Sequence, residues 1–108
     1  MDNGVRQYTF EGNLRYIFNH TSTLDRLVAF AEEAAGLNQA VLKLARAQQK
    51  LIKHPTTVSA TEALHDVIEK YSGVVLCAMA LNLYAYNELI SRKAERWAER
   101  LEEVENNA

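Results

Sequence analysis

The sequence predicts an all-α protein, a helical bundle of three long antiparallel helices plus a short N-terminal helix. Three observations carry that reading. Chain-breaking residues are scarce, with four glycines and one proline in 108 residues, and sparse punctuation favours helices over strands. Apolar residues recur three and four apart over long windows, the period of a helical face. Helix-start chemistry stands at the head of those windows.

Taken in order, Met1–Thr9 reads as a mobile lead-in, and Gly12–Asn19 as a short helix with Leu14, Ile17 and Phe18 on one face. Residues 1–20 therefore form an N-terminal segment, and residues 21–108 a helical domain. The hydroxyls of Thr21, Ser22 and Thr23 suit the first turn of a long helix, because they accept its free amide hydrogens. That helix is expected over Leu24–Lys53, with a stripe running from Leu24, Leu27 and Val28 through Val41 and Leu42 to Leu51 and Ile52. His54-Pro55 ends it, since the residue before proline avoids helical geometry. Pro55–Val58 form the connection.

Ser59-Ala60-Thr61-Glu62 is a Ser-x-x-Glu capping box, and it opens a second helix expected over Thr61–Leu81. Leu64, Val67, Ile68, Tyr71, Val75, Ala78 and Met79 supply its expected buried stripe. Val74–Leu81 is apolar nearly all round, which predicts a position between other helices and an assembly larger than one chain. A break near Asn82–Tyr84 leads to a third helix over Ala85–Val104. Leu89, Ile90, Trp97 and Leu101 mark its inner face, and core packing is the expectation for Tyr71 and Trp97.

The formal net charge of -2 gives no nucleic-acid footprint. No apolar run reaches membrane-spanning length. The first residues lack the basic-then-apolar pattern of a signal peptide. The lone Cys77 cannot form an intrachain disulfide and suits a reducing cytoplasm, where it reads as a small core residue.

Candidate chemistry is thin. His20, His54 and His65 lack zinc-ligand spacing. There is no glycine-rich phosphate loop and no nucleophile with a paired base, so no catalytic residue is assigned. Lys43, Arg46, Lys50 and Lys53 make a basic stripe that fits a solvated face, phosphates or an acidic partner. Small residues cluster at Ala34-Ala35-Gly36 and at Ser72-Gly73, where helix backbones can approach closely or leave a groove.

Three stretches share an order and spacing with one family. They are Ala31-Glu32-Glu33-Ala34-Ala35-Gly36-Leu37-Asn38-Gln39-Ala40 with Leu42-Lys43-Leu44 after it, then Ile68-Glu69-Lys70-Tyr71-Ser72-Gly73-Val74-Val75-Leu76-Cys77, and finally Lys93-Ala94-Glu95-Arg96-Trp97-Ala98-Glu99-Arg100-Leu101. In that order the chain resembles the MazG-like nucleotide pyrophosphohydrolases, particularly short phage-type members. The resemblance spans about Leu24–Glu103 and implies an all-helical fold, a homodimer or tetramer, and magnesium-dependent cleavage of nucleoside triphosphates. The family holds its metal with Glu-x-x-Glu on one helix and Glu-x-x-Asp on the next. Here those motifs fall on Glu33-x-x-Gly36 and Lys70-x-x-Gly73, so Gly36, Lys70 and Gly73 stand at degenerate positions. Lys93 and Arg96 match the family's phosphate-contacting pair, and Lys43 of the basic stripe is a further phosphate-binding candidate.

Two expectations follow from the resemblance. In one, the chain has lost the reaction, needs no cofactor, and acts by binding a nucleotide or a protein partner such as a host or defence factor. In the other, a rearranged site of Glu33, Asp66 and Glu69 still holds magnesium and supports turnover.

Overall fold

The computed structural model describes residues 7–53 and 59–107. Four helices make up the secondary structure of those residues: α1 over Phe10–His20, α2 over Thr23–Lys53, α3 over Ser59–Ala80 and α4 over Asn87–Asn106. The all-helical expectation holds, and each helix lies within two or three residues of its expected span. The lead-in before residue 7 and the Pro55–Val58 connection lie outside the described residues.

Local chemistry explains the boundaries. Thr9 caps α1 by accepting from the Gly12 amide at 3.0 Å. Ser22 and Asp25 cap α2 reciprocally: the Ser22 amide donates to Asp25 Oδ2 and the Asp25 amide donates to Ser22 Oγ, each at 3.0 Å. Those bonds from Ser22, backbone first and hydroxyl second, hold the Asp25 carboxyl below its ordinary value. α3 begins at Ser59 itself, so its capping position falls outside the described residues. At its far end Asn82 takes a left-handed backbone, φ 56°. The Leu83 amide then donates to Ala78 O at 2.9 Å and the Asn82 amide to Met79 O at 3.0 Å. This is a Schellman closure with asparagine in the left-handed position, and it produces the expected break.

α2 and α3 pack antiparallel along a seam of small residues. The Lys70 chain crosses Gly36, its Cδ 3.5 Å from where a Cβ would stand there. The Glu33 carboxyl lies over Gly73, its Cδ 2.9 Å from the corresponding Cβ position. Ala29 with Cys77 and Arg26 with Ala80 share one cavity wall further along. Every pair fits one register, in which a step forward on α2 is a step back on α3. The seam thus reads Arg26, Ala29, Glu33, Gly36 and Ala40 on α2, against Ala80, Cys77, Gly73, Lys70 and Asp66 on α3. Among the described residues the buried side chains are Ala40, Ala47, Ala80 and Arg26, and no large apolar side chain is buried.

The expected stripes therefore need correction. Leu27, Val28, Val41 and Leu42 on α2, and Leu64, Ile68, Tyr71 and Val75 on α3, are exposed. α2 and α3 form the expected antiparallel pair, but α4 packs against no other described helix. Its Leu89, Ile90, Trp97 and Leu101 are exposed, not inward-facing. Residues 83–86 after the Schellman turn carry no regular secondary structure, with Tyr86 extended, and α4 starts anew at Asn87. The radius of gyration is 19.3 Å, against about 13 Å for a compact chain of this length.

α1 packs against α3, and Arg26 of α2 fastens its C-terminal end. The Arg26 Nη1 of α2 donates to Phe18 O at 3.0 Å, Thr21 O at 2.7 Å and Thr21 Oγ1 at 3.0 Å. These groups lie at the C-terminal end of α1, where free carbonyls and the helix dipole favour a cation. The guanidinium also lies 4.3 Å from the Phe18 ring centre. Arg26→Leu should remove these bonds at a cost of about 2 kcal/mol. Hydrogen exchange should then lose protection over α1 while the α2–α3 seam keeps it. Equal loss in all three helices would contradict the assignment.

Candidate functional site

The motif positions meet at the middle of the α2–α3 seam. Antiparallel packing sets Glu33 opposite Gly73 and Gly36 opposite Lys70, so the two three-residue steps face each other. In each pair a long side chain from one helix lies over the bare backbone of a glycine on the other. The glycines therefore admit the partner's side chain at close range. A Cβ at Gly36 would meet Lys70 in ordinary contact, whereas one at Gly73 would overlap the Glu33 carboxylate and force it to swing aside.

Glu33 and Lys70 are both half-buried here. Glu33 also acts on Cys77, one helical turn beyond Gly73. Burial first, and the Glu33 charge second, push the Cys77 thiol above its ordinary value. Cys77 is half-buried, so the expectation of a core position is met only in part. The thiol borders a cavity of about 110 Å³ between α1, α2 and α3, lined also by Ile17, Ala29 and Leu76.

Asp66 and Glu69 are not drawn into this cluster. Asp66 is half-buried along the seam nearer the start of α3, and Glu69 is exposed. Among the described residues no group of three His, Cys, Asp or Glu side chains comes together in a way that could hold a metal ion. Glu33, Asp66 and Glu69 are thus not gathered around one point.

The basic residues divide. Lys93 and Arg96 line one shallow cavity on α4 with Trp97 and Arg100. Their spacing of three, four and seven residues puts all four on one helix face. Lys43 lies exposed on α2, which α4 does not touch, so the chain does not bring it to Lys93 and Arg96. Sequence reasoning missed Arg26. A lone arginine in an amphipathic helix has no pattern that marks it as buried, and its partners are backbone carbonyls, which leave no sequence trace.

In comparisons with known proteins, no family model, no curated protein and no solved structure matches the chain.

The Cys77 environment gives a direct check on the seam. At pH 8 the thiol should react with a neutral maleimide more slowly than a free cysteine, because only the thiolate attacks. Glu33→Gln removes the charge that helps hold the thiol protonated, and the rate should rise. An unchanged rate in a folded variant would mean that Glu33 does not lie beside Cys77.

Proposed function

We propose that this chain is a MazG-like helical protein that has lost the pyrophosphohydrolase reaction and acts by binding. The observation that carries the reading is the facing arrangement at the seam. Magnesium takes hard oxygen ligands, and pyrophosphate chemistry requires a divalent cluster to neutralise the phosphates and activate water. At the four facing positions stand one carboxylate, Glu33, one cation, Lys70, and two glycines. Lys70 opposes a metal electrostatically, and Gly36 and Gly73 offer it no side-chain oxygen.

Lys93, Arg96 and Arg100 around the exposed Trp97 support a binding role. Three cations beside an aromatic face fit a nucleotide's phosphates and base, or an acidic surface on a protein. The phage-type resemblance suggests the partner class, a host or defence protein met in the cytoplasm.

With magnesium present, the protein should release no pyrophosphate from standard nucleoside triphosphates above the buffer rate. The combined change Gly36→Glu, Lys70→Glu and Gly73→Asp should increase magnesium affinity, read as a larger rise in Tm with added metal. The lost-reaction reading fails if the unmodified protein turns over at an enzyme's rate and Glu33→Ala abolishes it. The motif assignment fails if the folded triple variant binds magnesium no better than the unmodified chain.

A further inference from the structure

We propose that the cavity between α1, α2 and α3 is a binding site for a short aliphatic monocarboxylate. Its carboxylate lies on one edge of the Arg26 guanidinium, and its hydrocarbon tail lies against Ala29, Leu76 and Cys77. All four residues belong to the wall of this cavity of about 110 Å³.

The accounting of the Arg26 donors carries the head group. Arg26 is 8% exposed. Its Nη1 is spent on the carbonyls of Phe18 and Thr21 and on the Thr21 hydroxyl, all neutral acceptors. Nη2 makes one long bond, 3.4 Å to Thr23 Oγ1. Nε is buried and meets no acceptor. Nε and Nη2 form one edge of the planar guanidinium, and such an edge takes a carboxylate through two parallel N–H bonds. A buried cation with only neutral contacts and one unmet donor carries a desolvation cost. An anion at that edge relieves it.

The rest of the wall carries the tail. The other polar groups there are engaged elsewhere. Thr21 Oγ1 donates to Ile17 O at 2.6 Å and accepts from Arg26. Asp25 is exposed, and its carboxylate accepts the Ser22 amide. Burial, and then the Glu33 charge, favour the protonated thiol of Cys77, so it does not repel an anion. One unmet donor among apolar groups suits water poorly, since a buried water takes about two to four polar partners. It suits a ligand with one anionic end and an apolar body. Size sets the length of that body. An apolar cavity of about 150 Å³ admits benzene, so this smaller one takes a tail of about three or four carbons. A nucleotide does not fit, and the site is thus separate from the cations around Trp97.

Butyrate is the probe, with butyramide as its neutral isostere and sodium chloride at matched ionic strength. Across the millimolar range butyrate should raise the Tm of the full chain saturably. It should also slow maleimide capture of Cys77 at fixed pH, because the tail covers the thiol. At ten times the dissociation constant about one chain in eleven stays open, so the slowing should be about tenfold. Butyramide and sodium chloride should do neither. Ala29→Leu, which fills the cavity, should abolish both responses, and the distant change Glu69→Gln should keep them. The proposal is overturned if butyrate changes neither Tm nor the Cys77 rate, or if Tm rises with Cys77 unprotected. An equal effect of butyramide or of sodium chloride also overturns it, as does a full response in folded Ala29→Leu. The comparisons on the unmodified chain decide even if Ala29→Leu fails to fold. None of them depends on pyrophosphate release.

Discussion

The structure depends on how closely α2 and α3 approach along a seam of small residues. Glycine and alanine remove the side-chain bulk that would hold two helices apart, and the gaps at Gly36 and Gly73 are taken by Lys70 and Glu33. This contact fixes register, because each long side chain fits only opposite a bare position. It supplies little burial. An alanine methyl is worth about 0.8 kcal/mol, whereas ordering one residue of backbone costs about 1–2 kcal/mol. A seam in which alanines and glycines face long charged side chains thus specifies how the helices pair more strongly than it stabilises the pair. The larger apolar side chains, which carry most of the hydrophobic energy available to this sequence, stand on the outer faces.

The same seam governs the chemistry. Antiparallel packing brings two three-residue steps face to face, a geometry in which four carboxylates could share a metal cluster. The residues at those steps instead complement each other as fillers. The carboxylate of Glu33 occupies space over Gly73, and the methylenes of Lys70 occupy space over Gly36. Side chains that would serve a ligand are here part of the packing between helices. Cys77 reports on this arrangement, since its thiol responds to both its burial and the Glu33 charge.

Much of the fold was legible in the sequence, for identifiable reasons. Scarce glycine and proline and the Ser22 cap act locally, so the helices could be read directly, while the His54-Pro55 stop lies outside the described residues. The facing of Glu33-x-x-Gly36 with Lys70-x-x-Gly73 was reached through resemblance, and the seam has those positions opposed. The buried face was misread. Helical periodicity identifies an apolar stripe but not what covers it, and here Leu27, Val41, Leu64 and Tyr71 lie outside while Ala40 and Ala80 lie inside. The same limit affected α4, whose Trp97 and Leu101 were expected inward and have no neighbouring helix among the described residues. Arg26 escaped notice because its burial depends on the carbonyl end of α1, a tertiary feature.

The seam register is the central claim, and paired cysteines test it most directly. In a Cys77→Ala background, Gly36→Cys with Lys70→Cys should oxidise rapidly to an intrachain disulfide, detected as a faster-migrating single chain on a non-reducing denaturing gel. Ala35→Cys with Lys70→Cys should not, because position 35 is turned about 100° away from the seam. Rapid closure of the 35–70 pair with none at 36–70 would contradict the register, and with it the placement of Glu33, Gly73 and the outer apolar face.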